Sequence, residues 1–174
     1  SPEMTDVYAN DDRLVAFLLS RLDVKGKRVL EVGAGTGRDS LALAKRGAHV
    51  TTIDYSDESL RLTRGVAGSE LGIVCGDALS LPFADASFDI VFHQGLLEHF
   101  RRPVDLLREN HRVLRAGGHL LVDVPQRWHY YTLMKHVLMA ANRWFAGWET
   151  EFSARELSSL MRQAGFEVAG EYGS

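Results

Sequence analysis

Cysteine is almost absent: Cys75 is the only one in 174 residues, so no intrachain disulfide can form and a reducing compartment is the natural setting. Seven histidines beside that one cysteine show no zinc-ligand spacing, and no metal is expected. Nor does either sign of charge predominate strongly, with 20 lysines and arginines against 23 aspartates and glutamates. A formal net charge of -3 gives no global attraction to phosphate backbones, so no nucleic acid partner is expected. No apolar run reaches the roughly 18 residues that cross a bilayer. The opening SPEMTDVYANDDR has no basic start followed by an apolar stretch, so it does not read as a secretory signal. The expected location is cytoplasmic. Internal repeats and low-complexity segments are missing as well. What is present, 45% hydrophobic and 25% charged residues, suits one soluble domain over 1–174 with one core.

Short β-branched runs alternate with helical periodicity, which predicts βαβ units around a parallel sheet. Leu14, Phe17, Leu18 and Leu22 define an amphipathic helix ahead of that sheet. Lys27 to Val32 reads as the first strand, Ser40 to Arg46 as a helix stopped by Gly47, and His49 to Ile53 as the second strand, ending at Asp54. Ser56 is placed to cap the next helix, with Asp57 and Glu58 favourable to its dipole. Leu71 to Cys75 and Phe88 to Phe92 are the third and fourth strands. A helix from about Pro103 to Leu114 is expected to end in Arg115-Ala116-Gly117-Gly118, before a fifth strand over His119 to Val124 stopped by Pro125. Ser153 and Glu156 have capping-box spacing, with Phe152 and Leu157 at the staple positions, so a helix begins there. Gly165 ends it, and Phe166 to Ala169 is expected to start a sixth strand.

The segment Val29-Leu30-Glu31-Val32-Gly33-Ala34-Gly35-Thr36-Gly37 narrows the ligand class. Glycines let the chain turn sharply after a strand and let a ligand approach the backbone. The dinucleotide fingerprint requires Gly-x-Gly-x-x-Gly, but here the glycines fall at 33, 35 and 37 and position 38 is Arg. Glu31 lies two residues before the first glycine, where a carboxylate would repel a pyrophosphate and attract a cationic ligand. Asp54, ending the second strand, can accept from both hydroxyls of a ribose, as it would for a nicotinamide cofactor too. Each residue also has a plainer reading: turn glycines, a helix-dipole partner at Asp54, a buried hydrogen-bonded carboxylate at Glu31, a simple turn aspartate at Asp77.

With these residues in view the chain resembles the class I S-adenosylmethionine-dependent methyltransferases. The likeness is to their small-molecule, type 11-like subgroup, which includes quinone-biosynthesis enzymes. EVGAGTG from Glu31 to Gly37 is similar to the first motif, and Asp54 to the ribose-binding acid. Gly76-Asp77-Ala78 resembles the adenine-binding turn, and LPFADASFDIV from Leu81 to Val91 the loop and fourth strand. LLEHF at 96–100 and RVLRAGG at 112–118 complete the series, which runs over roughly Leu14 to Ala169.

The resemblance implies an α/β, Rossmann-like doubly wound sheet, mostly parallel, with helices on both faces. It implies S-adenosylmethionine as cofactor, leaving S-adenosylhomocysteine as product. Glu31, Gly33, Ala34, Gly35 and Gly37 would shape the pocket for the methionine portion. Asp54 would hold the ribose, Tyr55 pack on adenine, Asp77 and Ala78 bind its edge, and Gln94 and Gly95 line the end of the fourth strand. The family's sheet has seven strands, so a chain ending at Ser174 lacks the last and is expected to continue in a longer protein.

The shared motifs fix no catalytic residue; His99, His129 and Tyr130 are the candidates. His93-Gln94-Gly95-Leu96 replaces the Asn/Asp-Pro-Pro-aromatic turn typical of methyltransferases acting on amino groups of DNA bases or glutamine, which argues against those acceptors. Residues 126–150 read as a substrate-side insertion rich in aromatic and apolar side chains. It is either a helix packed on the domain or a lid for a bulky apolar or lipid-like acceptor met at a membrane surface, where Arg127, Lys135 and Arg143 would face anionic headgroups. Two rivals stand beside this reading: a nicotinamide-dependent oxidoreductase, which the glycine spacing disfavours, and a non-catalytic module that binds the cofactor or its product.

Overall fold

The structure, a computed structural model, describes residues 13–124 and 150–171. Helix α1 (Arg13–Arg21) precedes β1 (Arg28–Val32), followed by α2 (Arg38–Ala44), β2 (His49–Asp54), α3 (Asp57–Ala67) and β3 (Gly72–Cys75). A loop leads to β4 (Phe88–Gln94), a 3-10 turn (Leu97–His99), α4 (Pro103–Val113) and β5 (Leu114–Asp123); α5 (Ala154–Gln163) comes last. The strands lie in the order β3-β2-β1-β4-β5 and every pairing is parallel. The chain therefore builds outward from β1, returns, and builds outward the other way from β4. That reversal opens a crevice at the carboxyl ends of β1 and β4, where open α/β sheets bind ligands.

Both faces of the sheet are covered, as the near-continuous apolar runs require. Val29, Val50, Ile90 and Phe92 meet Leu14 and Leu18 of α1, Leu43 of α2 and Ala67 of α3. Leu30, Val32, Ile53 and Val91 meet Leu106, Leu107 and Val113 of α4, with Leu157 and Leu160 of α5 packed alongside. Each fully buried leucine contributes roughly 1.5–3 kcal/mol. The one acid within β4, Asp89, is held by the Arg28 N–H (2.6 Å) and the Arg115 guanidinium (2.5 Å).

Local chemistry explains the helix starts. The Ser56 hydroxyl accepts from the Ser59 N–H (3.3 Å), capping α3. Ser153 and Glu156 form a reciprocal capping box on α5, and Pro103 opens α4, where its missing N–H costs nothing.

Three expectations shift. Helix α2 spans Arg38–Ala44 rather than Ser40 to Arg46. Arg115 to Gly118 is not a helix end: β5 already begins at Leu114, opposite Phe88, and the register then jumps to Ile90 opposite His119. The two glycines admit that bulge, Gly117 at φ +72° and Gly118 where a Cβ would lie 2.9 Å from two carbonyl oxygens. Phe166 to Ala169 forms no strand; the Phe166 ring and His111 of α4 pack in a T-shaped pair, with centroids 5.0 Å apart. The proposed insertion at 126–150, apart from Thr150, lies outside the described residues.

Candidate functional site

Backbone geometry at the end of β1 is what only glycine tolerates. Gly33, Gly35 and Gly37 have φ of +75°, +51° and +69°. At Gly37 a Cβ would also lie 2.6 Å from the Cγ2 of the buried Thr63. Gly37→Ala is therefore expected to destabilise the domain by about 1–3 kcal/mol, read as a lowered unfolding midpoint. At Gly35 the opposite holds: a Cβ would meet nothing within 4 Å, so the turn faces open space. The Gly35 N–H donates to Asp54 Oδ2 (3.2 Å), and its carbonyl accepts from the Thr63 hydroxyl (3.2 Å). Asp54 Oδ1 accepts the Ser56 N–H (2.8 Å), so two backbone amides orient this carboxylate.

Above the turn lies a cavity of about 390 Å³. Gly33 and Gly35 line it after β1, Asp54 and Tyr55 after β2, Asp77 and Ala78 after β3, and Gly95, Leu96 and Phe100 after β4. A Cβ at Gly33 would lie 3.1 Å from the Leu96 side chain across the crevice, so glycine leaves room for that wall. Two carboxylates and no lysine, arginine or histidine line this space among the described residues. Tyr55 is 83% exposed, an aromatic face at the rim. Asp77 closes its own turn, Oδ1 accepting the Leu79 N–H (2.8 Å).

The remaining expected residues lie elsewhere. Glu31 is buried behind the turn, where the Ser40 hydroxyl donates to its Oε2 (2.5 Å). Burial foremost, and then the nearby carboxylates Asp39 and Asp54, push its pKa up to about 8 against the lowering effect of Ser40. Ala34 is buried and Gly37 is the residue before α2; neither lines the cavity. Gln94 donates to Asp123 (3.0 Å), tying β4 to β5. His99 is exposed on the 3-10 turn, whereas its neighbour Glu98 is buried, with Oε1 3.7 Å from the Cβ position of Gly95. His129 and Tyr130 lie outside the described residues.

Sequence reasoning did not single out Leu96 and Phe100 as pocket walls, nor Thr63 as the post behind the glycine turn. The first two follow from standing after β4; nothing local marks Thr63. Among the described residues no group of histidine, cysteine and acidic side chains could hold a metal, and no helix is long and apolar enough to cross a membrane.

Comparison with known proteins bears on this geometry. The family profile described as a methyltransferase domain matches residues 30–122. A ubiquinone biosynthesis O-methyltransferase of Pseudomonas aeruginosa is 30% identical over 166 residues, covering 88% of this chain and 70% of that protein. The chain spans only 26 to 42% of the length of the first curated relatives it matches. Among solved structures, a SAM-dependent methyltransferase of Thermotoga maritima aligns with TM-score 0.71 at 26% identity, over 95% of this chain and 79% of that one. The (4+2) cyclase SpnF aligns with TM-score 0.73 at 29% identity, over 91% and 58%.

Proposed function

Since the chain belongs to the methyltransferase-domain family, we propose that it binds S-adenosylmethionine in the cavity above Gly35 and passes the methyl group to a small or lipid-like acceptor. The observation that carries this reading is the lining: two carboxylates and no cation, at a backbone turn open enough for a ligand. The two carboxylates would repel a diphosphate, while they attract a sulfonium with an ammonium group. The volume also falls within the roughly 300–1,000 Å³ of small-molecule sites.

Bound S-adenosylmethionine supplies an already activated methyl group. The chain's own part is to orient and to exclude water. Asp54, fixed by the Gly35 and Ser56 amides, presents its remaining lone pairs to the ribose hydroxyls. Asp77 Oδ1 is engaged in its own turn, which leaves Oδ2 to accept from the adenine amino group. Tyr55 offers a stacking face, and Leu96 and Phe100 form an apolar wall after β4. The small or lipid-like acceptor is supported by the quinone-biosynthesis relative. Where that acceptor must lose a proton, His129 and Tyr130 are the candidates for the base, since His99 is exposed and absent from the cavity lining.

Calorimetric titration tests the cofactor directly. S-adenosylhomocysteine is expected to bind and NAD to give no heat; NAD binding at this turn would overturn the reading. A second reading, cofactor binding without methyl transfer, is favoured by one observation, the likeness to a protein described as a cyclase. Labelled methyl appearing on any component of a cell extract decides for the transferase.

A further inference from the structure

Arg112 of α4 does not line the cavity, yet its guanidinium uses all five of its N–H donors on one loop and one neighbour. Nε and Nη2 donate to Glu109 (2.9 and 2.6 Å), and Nη2 donates also to the Leu81 carbonyl (3.0 Å). Nη1 donates to the Phe83 carbonyl (2.8 Å) and to Asp85 (2.7 Å). Glu109 Oε1 in turn accepts the Leu81 N–H (2.7 Å), so both backbone polar groups of Leu81 are held. The Arg112 carbonyl accepts the Ala86 N–H (3.0 Å) at the loop's far end. The pair's electrostatics agree: the Arg112 guanidinium holds the Glu109 carboxyl below the usual carboxylate range.

An ordinary ion pair on a helix surface needs none of these carbonyl contacts. Here the arginine fork replaces the strand partners that residues 81–86 lack. What it holds leads straight to the cavity. The Asp77 carbonyl accepts the Ser80 N–H (3.1 Å), closing a turn that ends beside Leu81. On the other side, the Gly76 N–H donates to the Asp54 carbonyl (3.1 Å), and a Cβ at Gly76 would lie 3.5 Å from Pro82 of the clamped loop. Asp77 and Ala78 are thus suspended between β2 and the Glu109–Arg112 pair.

We infer that Glu109 and Arg112 are positioning residues for the base end of the cofactor cavity: by fixing Leu81 to Asp85 they set where Asp77 and Ala78 stand, and with that the preference for adenine. This rests on the S-adenosylmethionine reading above, and the experiment separates the two. The full chain and its Arg112→Lys, Glu109→Gln and Asp85→Ala variants are titrated with S-adenosylhomocysteine and with S-inosylhomocysteine, in which a carbonyl replaces the adenine amino group. Lysine keeps the charge but lacks the planar fork, so it cannot serve two carbonyls and two carboxylates together.

The unaltered chain is expected to prefer the adenine ligand, and Arg112→Lys to weaken that ligand by about tenfold while hardly changing the inosine one. Glu109→Gln should shift the ratio in the same direction, and it carries the test if Arg112→Lys fails to fold. Asp85→Ala, whose carboxylate is 78% exposed, should change it least. A purely structural role would lower the melting temperature and leave the ratio intact; an unchanged ratio, or equal weakening of both ligands, overturns the inference. An unaltered chain that binds neither ligand overturns the cofactor reading first.

Discussion

Replacing Asp54 by alanine is expected to lower affinity for S-adenosylhomocysteine by about a hundredfold or more. Hydrogen bonds to a charged group contribute about 1.5–3 kcal/mol each, and a carboxylate facing a ribose can make two. The effect has a second source. Asp54 accepts the Gly35 N–H at 3.2 Å and the Ser56 N–H at 2.8 Å, so its loss also loosens the glycine turn and the entry to α3. Asp54→Asn separates the two. Its oxygen can still accept from Ser56, while the amide nitrogen cannot accept from Gly35 and no charge remains. An intermediate loss is expected for asparagine, with a smaller drop in unfolding midpoint than alanine gives, since the Ser56 contact survives and the Gly35 contact does not. Affinity that survives both substitutions would remove the ribose from this carboxylate.

The second large effect concerns pH. Glu31 has its pKa raised by burial to about 8, against an ordinary 4.5. Folded Glu31 therefore keeps its proton where the unfolded chain releases it. Its contribution is intact below about 4.5 and is lost as pH rises toward 8. His93, fully buried in β4, behaves oppositely: burial lowers its pKa to about 4 from 6.5, so the folded state resists protonation and loses stability as pH falls through that window. Neither ring nitrogen of His93 has a hydrogen-bond partner among the described residues.

Between pH 4.5 and 6.5 these two slopes oppose each other; above 6.5 only Glu31 acts. Denaturant unfolding of the unliganded chain should show a decline of roughly 2–3 kcal/mol between pH 6 and 9 from this one group. Glu31→Gln should abolish the decline and leave the variant more stable than the parent at pH 9. It should also uncover the rise that His93 contributes on the acidic side. A variant as pH-sensitive as the parent above neutrality would show that Glu31 ionises normally.

The same carboxyl marks where sequence reasoning reaches its limit. Glu31 reads along the chain as a charge aimed at a cationic ligand; in the fold its burial raises its pKa to about 8 despite the Ser40 hydrogen bond, and the acids that line the cavity are Asp54 and Asp77. Burial is a tertiary property, and no spacing rule carries it. The glycine turn, the Ser56 cap and the Ser153 capping box were legible because each depends on residues a few positions apart. The Arg112 clamp was not, because its loop partners precede it by 27 to 31 positions. Gly117 and Gly118 misled for a related reason: glycine after a helix-like run signals a stop, and only the pairing with β4 turns it into a bulge. Phe166 had a strand-like neighbourhood but an aromatic partner on α4.

The placing of Leu96 opposite Gly33 across the cavity has a consequence for assembly. The first three strands carry the glycine turn and Asp54, but the opposite wall arrives only when β4 has docked on β1. Such distant pairings form late, because chain closure must precede their reward. A polypeptide emerging from the ribosome thus completes three strands before it owns a pocket. A ligand that needs both walls will select finished molecules alone, raising the melting temperature of the whole domain while offering nothing to a partly built one.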